Sequence, residues 1–227
     1  PAGMVSCARP EERPNIITVA WAGTVCSSPA MVSISVRKER YSYDILKETG
    51  EFVINLITRD LTYATDFCGV RSGRDVDKFA QMHLTPLPSQ HISAPGIAES
   101  PVNLECKVTQ VIPLGSHDMF LAEVLGVTVD EKYMDENGKF HLNDAGLVAY
   151  SHGEYFELGE KLGKFGYSVA KKQAAKPESV TKSVKPSGAG KKAASAGTRT
   201  ASKTGAGNRR KSASKTGSAE KQKSRRK

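Results

Sequence analysis

Hydrophobic and polar positions change their rhythm several times along this chain, and each change marks an element. Residues 15–22 (NIITVAWA) are rich in Ile, Val and Thr and predict a buried strand. Cys26-Ser27-Ser28-Pro29 is turn chemistry. Residues 31–37 (MVSISVR) alternate strictly, with Val32, Ile34 and Val36 on one face and Ser33, Ser35 and Arg37 on the other. That polar face, two hydroxyls and a cation, suits a polar ligand as well as water. Residues 42–49 (SYDILKET) predict a short helix ended by Gly50. A strand follows at 52–57, a second helix at 61–68, a glycine-punctuated basic loop at 69–74 (GVRSGR) and a third short helix at 75–83. Four prolines between 86 and 101 predict an irregular surface connection. Residues 102–112 and 119–129 are long strand candidates around the turn LGSHD at 114–118, which makes a β-hairpin. A further turn is signalled at Glu136-Asn137-Gly138, and a last strand at 147–156.

Strands come in runs with short helices inserted, without regular strand–helix alternation. A doubly wound parallel sheet is therefore disfavoured. A mainly β, closed or partly closed antiparallel barrel fits better, because closure removes exposed edges. After Phe165 the character changes. Residues 171–227 are almost entirely Lys, Ala, Ser, Gly and Thr, and Val180 and Val184 are their largest apolar side chains. Such a segment cannot bury enough area to offset the entropy of ordering, which predicts a disordered tail behind a domain spanning residues 1–170.

Charge follows the same division. The 227-residue chain has a formal net charge of +9, and a pI near 9.4, which taken whole suggests a nucleic-acid-binding protein. Residues 171–227, however, hold 18 Lys and Arg against Glu178 and Glu220, a net +16. Residues 1–170 are left with a net −7. The basic pI belongs to the tail. Cys7, Cys26, Cys68 and Cys106 include no CxxC pair, and four scattered thiols fit a reducing, cytoplasmic setting better than a disulfide framework. No apolar run approaches the roughly 20 residues of a membrane span, and no signal peptide is visible.

Standard catalytic devices are missing. The sequence holds no GxSxG, HExxH or Walker loop, and none of its five histidines pairs at metal-ligand spacing. Together these absences shift weight from hydrolase or metal chemistry toward a borrowed cofactor. Six blocks then carry a resemblance: 14–27 (PNIITVAWAGTVCS), 31–43, 66–79 (DFCG and SGRDVDKF), 99–106 (ESPVNLEC), 115–120 (GSHDMF) and 149–153 (AYSHG). Over residues 4–169 the chain resembles the flavin reductase-like, FMN-binding split-barrel proteins, in particular flavoredoxin-like and archaeal-type flavin reductases. The tail has no counterpart in that family.

The resemblance implies a homodimer of Greek-key split barrels with FMN near the interface. It implies reduction by NADH or NADPH and passage of electrons to an acceptor, for which free flavin, a ferric chelate, a small iron–sulfur protein or a partner oxygenase would all serve. No GxGxxG is present, so the nicotinamide would bind transiently without a Rossmann domain. Trp21 would wall the isoalloxazine, with an ordinary core Trp as the alternative. Asn15 suits the pyrimidine edge, or a strand entry. Ala22 and Gly23 follow it as cofactor neighbours, and Thr24, Val25, Cys26 and Ser27 lie on the next loop near the ring, Cys26 being read as a small neighbour rather than a redox group. Arg37, Arg40 and Ser42, beside a helix start, and Ser72, Gly73 and Lys78 are the two candidate groups for the phosphate and ribityl chain; Ser42 and Lys78 fall on family binding positions. His117, the one candidate for a catalytic role, would bond the ring or the nicotinamide, or else is a turn histidine capped by its neighbour. Tyr150 and His152 flank the same region. No metal is expected.

Two other functions fit the sequence. One is a flavin-binding dimer without turnover. The other uses the barrel only as a dimerising scaffold for the tail. Lys/Ala/Ser/Gly/Thr mixtures resemble linker-histone and bacterial histone-like tails, and would bind nucleic acid or an acidic partner without sequence preference; a solubilising or targeting extension is the alternative.

Overall fold

The computed structural model describes residues 2–170. The disorder predicted for 171–227 lies outside the described residues. Among the described residues, eleven strands and three α-helices follow in order: β1 Gly3–Cys7, β2 Asn15–Val19, β3 Ala22–Ser27, β4 Ala30–Arg37, α1 Tyr41–Thr49, β5 Glu51–Leu56, α2 Thr62–Val70, α3 Lys78–Gln81, β6 Pro86–Leu87, β7 Gly96–Ile97, β8 Val102–Pro113, β9 His117–Val129, β10 Val148–Ser151 and β11 Glu154–Glu157.

Seven strands make one antiparallel sheet in the order β2-β1-β5-β8-β9-β4-β3. Its two edge strands, β2 and β3, are consecutive in the chain and separated only by Ala20 and Trp21. The sheet therefore curls until its ends meet, and inward side chains of β1, β2, β4, β5, β8 and β9 share one core. Val5, Ile17, Val32, Ile34, Phe52, Cys106 and Phe120 lie in it, capped by Ile45 and Leu46 of α1. Closure is incomplete: β2 and β4 are not bonded neighbours, and Ser35 N–H, which donates to Trp21 C=O at 2.8 Å, only extends the β3–β4 ladder by one residue beyond the Ala22–Ile34 pair. This is a split barrel.

A second apolar layer lies on the outer face of β1 and β2. Met4 and Ile16 pack there against Leu61, Ala64, Cys68, Phe79 and Ile97. α2 comes close to β2 because Gly69 has no side chain: a Cβ there would stand 3.2 Å from Thr18 Cβ. α1 stops where predicted, with Gly50 in the left-handed conformation (φ 64°).

Four sequence expectations change. Strand β1 was not foreseen. Residues 24–27 were expected on a loop but belong to edge strand β3, paired to β4 with a bulge between Thr24 and Cys26. The single strand expected at 147–156 is a hairpin of β10 and β11, turned at His152 (φ 54°) and Gly153 (φ 90°). The connection at 86–101 is less irregular than its prolines suggest. It holds the short ribbon β6–β7, and the buried Glu105 carboxylate accepts backbone N–H bonds from Gln90 and His91.

A candidate mononucleotide cleft along the barrel seam

The opening between β2 and β4 is a continuous cleft in three overlapping sections, of about 180, 210 and 610 Å³. The first two share Ile17 and Arg40, and the last two share Ala20, Trp21 and Ser35. Cofactor sites usually occupy roughly 300–1,000 Å³, so the combined space suits a mononucleotide.

The first section is cationic. Arg40, Arg71, Arg74 and Lys78 line it, with Glu39 the one carboxylate. Lys78 lies at its floor. The residue is 3% exposed, and its Nζ donates to Ile16 C=O at 2.6 Å and Cys68 C=O at 2.7 Å. Among the described residues no carboxylate pairs with it. Burial pushes its ammonium down to about 8, because only thiolates at Cys68 or Cys7 would oppose it and both groups stay protonated there. Those thiols are themselves pushed up to about 11 by burial, so they are neutral and supply no counter-charge. A buried cation without a counter-ion is costly unless an anion joins it. Beside it Asn15 Nδ2 donates to Ser42 Oγ at 2.7 Å, both residues buried. Ser42 lies in the first turn of α1, whose free N–H groups favour an anion. Gly73 packs directly on this pair: a Cβ there would be 2.1 Å from Asn15 Oδ1 and 2.7 Å from Tyr41. Arg13 Nη2 donates to Gly73 C=O at 2.8 Å and fixes the loop. Arg74 lies over the Tyr41 ring.

The middle section runs between β2 and the polar face of β4, with Ser35, Arg37, Arg40, Trp21 and His117. Arg37 and His117 sit opposite each other in the β4–β9 pairing. His117 Nδ1 is 2.9 Å from Ser116 Oγ. Asp118 turns the other way, into the barrel end, where Tyr43 OH donates to it at 2.6 Å. The neighbour that meets His117 is thus Ser116. The third section is walled by Trp21, Ala22, Gly23, Thr24 and Val25, by Ser33 and Ser35, and by Tyr150 and His152 of the β10–β11 hairpin. Trp21 is 68% exposed, which rules out the alternative of a core tryptophan in this chain.

The structure therefore gathers Asn15, Trp21, Ala22, Gly23, Thr24, Val25, Arg37, Arg40, Ser42, Ser72, Gly73, Lys78, His117, Tyr150 and His152 along one cleft. Cys26 and Ser27 are exposed and lie outside it. Arg71, Arg74 and Tyr41 were not singled out from the sequence, although the basic loop 69–74 was noted. Among the described residues no His, Cys, Asp and Glu cluster could hold a metal, and no helix is long and apolar enough to cross a membrane.

Residues 1–159 match the profile of the flavin reductase like domain. The chain belongs to this family. An uncharacterised protein of Archaeoglobus fulgidus is 32% identical over 145 residues, covering 64% of this chain and 81% of the relative. Flavoredoxin of Desulfovibrio vulgaris (Miyazaki F) superposes with a TM-score of 0.70 at 34% identity, over 75% of this chain and 92% of that one. An FMN-binding protein from Thermus thermophilus has the same fold, with a TM-score of 0.61 at 24% identity, over 72% and 88%. The family match and the split barrel agree with the resemblance read from the six sequence blocks.

Proposed function

We propose that this chain binds FMN along the seam and works as an NAD(P)H-dependent flavin oxidoreductase. The observation that carries the reading is the buried Lys78 ammonium, without a carboxylate, at the cationic end of a cleft whose other end is walled by an exposed tryptophan. Lys78, Arg40, Arg71, Arg74 and the first turn of α1 would hold the phosphate. Ser33, Ser35 and Asn15 offer hydroxyl and amide groups along the cleft, and Trp21 offers an aromatic wall. Bound there, a flavin supplies hydride acceptance from NADH or NADPH and onward electron transfer. The protein's share is to bind, orient and shield. His117 stands at mid-cleft as a donor, and the β10–β11 hairpin limits access of water at the far end.

A homodimer extends this reading. Edge strand β3 exposes Val25 beside Trp21, and Phe156, Leu158, Leu162 and Phe165 are also exposed. Exposed apolar groups in such numbers favour a partner, and a second copy is the partner we assign. A cytoplasmic setting fits the four cysteines, all free.

The test is an absorption spectrum of the purified chain with FMN, before and after anaerobic NADH and NADPH. Oxidised-flavin bands that bleach with nicotinamide support the oxidoreductase. Bands that persist leave a flavin carrier, and absence of binding removes the proposal.

A further inference from the structure

The tail carries a charge that the barrel domain cannot absorb. Residues 171–227 are +16 and residues 1–170 are −7, so even complete internal compensation leaves +9. The domain is anionic overall and its one cationic cleft section is a confined pocket, so long-range attraction to a polyanion comes chiefly from the tail. The tail's composition narrows the partner. It has no Trp, Tyr or Phe to stack on unpaired bases. It has no Leu, Ile or Met to enter a bilayer or fill a protein pocket. What remains is a series of point charges, 13 Lys and five Arg, and that suits the partner with the highest regular charge density. Double-stranded nucleic acid presents about one phosphate per 1.7 Å of axis.

The spacing of the charges supports the same conclusion. Residues 200–211 (TASKTGAGNRRK) and 212–223 (SASKTGSAEKQK) form a twelve-residue repeat, identical at six positions. A cation is kept at three of its positions: Lys203 and Lys215, Arg209 and Lys221, Lys211 and Lys223. Arg225, Arg226 and Lys227 close the chain. We infer that residues 171–227 bind double-stranded DNA through its phosphates, without sequence preference, and so hold the barrel domain on the duplex. This rests on charge and composition, independently of the flavin reading.

The full chain is titrated into a labelled 30-base-pair duplex of arbitrary sequence, with anisotropy read from 50 to 200 mM KCl. Neutralising about six to ten phosphates costs roughly 10³–10⁵-fold in affinity over that range, and a loss within it is the expected result. A full-length variant with the ten Lys and Arg of 200–227 changed to Gln is expected to bind at least about a hundredfold more weakly at 50 mM KCl, with a shallower salt slope. Its thermal midpoint is expected to equal that of the parent chain. Equal duplex affinity of the two chains, or no binding at 50 mM, overturns the inference. So does tighter binding to a single strand of the same length, or binding to phosphatidylserine vesicles that excess duplex does not compete away.

Discussion

The phosphate end of the cleft makes a quantitative forecast about pH. Lys78 is held at about 8 by burial, from an ordinary value of 10.5. Each unit of that shift is about 1.36 kcal/mol, so the protonated lysine is disfavoured in the empty site by roughly 3 kcal/mol. One unit of negative charge at about 4 Å, at an effective dielectric of 20, returns approximately 4 kcal/mol. A bound phosphate therefore restores the ammonium to its ordinary range or above. The sign follows from linkage. Between about pH 7 and 8 Lys78 is already charged and the phosphate, with its second pKa at about 6, is fully ionised, so FMN affinity is flat. Above pH 8 binding must take up a proton, and Kd rises about tenfold per unit, reaching roughly a hundredfold by pH 10. Stability against pH would be a poor readout, because the buried Cys7 and Cys68 thiols, pushed up to about 11, ionise on unfolding in the same alkaline range. The ratio of FMN to riboflavin affinity removes that difficulty, since riboflavin lacks the phosphate and shares every other contact. Flavin fluorescence titrations from pH 6 to 10 give the ratio directly. A constant ratio would refute the placement of phosphate over Lys78. Lys78→Met should abolish the slope while lowering FMN affinity.

Three further changes separate site from scaffold. Gly73→Ala places a Cβ against Asn15 and Tyr41, so FMN affinity should fall by at least about tenfold while circular dichroism is unchanged; parent-like affinity would show that the Asn15–Ser42 pair is not part of the site. Trp21→Ala removes the only tryptophan from an exposed position, so stability should change by less than about 0.5 kcal/mol while flavin binding weakens, as equilibrium dialysis would show. Phe120→Ala empties the barrel core, where Phe120 is fully buried and meets the Tyr43 ring edge-on at 5.8 Å. It should cost about 3–5 kcal/mol, and a calorimetric midpoint within a degree or two of the parent's would contradict the assigned core.

Strand β4 was legible because one of its faces is core and the other is cleft, which imposes strict alternation on residues 31–37. β1 was not, for the opposite reason. All five of its residues are buried, Val5 inward and Met4 against the outer layer, so no alternation marks it. β3 fails in a third way: from Gly23 on it is exposed, and its extended form comes from pairing with β4 rather than from any apolar pattern. The β10–β11 hairpin was read as one strand, because a histidine at positive φ, as at 152, is uncommon. The same logic applies to the site. Lys78 follows Asp77 in a run that looks like an exposed helix start, and Asp77 does cap α3, accepting from Ala80 N–H. The lysine nevertheless turns inward to carbonyls 62 and 10 residues away in sequence. No local pattern encodes that, and only the family resemblance marked the position.

The seam explains why these groups belong together. A seven-stranded sheet whose edges are two residues apart is one set of hydrogen bonds short of closure. Sealing β2 to β4 would remove unpaired edge groups, which proteins ordinarily avoid exposing. Instead the chain spends Ala20 and Trp21 turning from β2 into β3, and Trp21 C=O bonds to Ser35 as the last rung of the β3–β4 ladder, which leaves β2 unpaired with β4. It lines one bank with the hydroxyls of Ser33 and Ser35, and buries a cation at the closed end. Each choice costs stability in the empty domain: an exposed tryptophan, an unpaired strand edge, an ammonium without a counter-ion. All three would be offset by the same object, an elongated anion with a flat apolar end and polar edges. That convergence, rather than any single residue, is the physical case for a flavin mononucleotide in the seam.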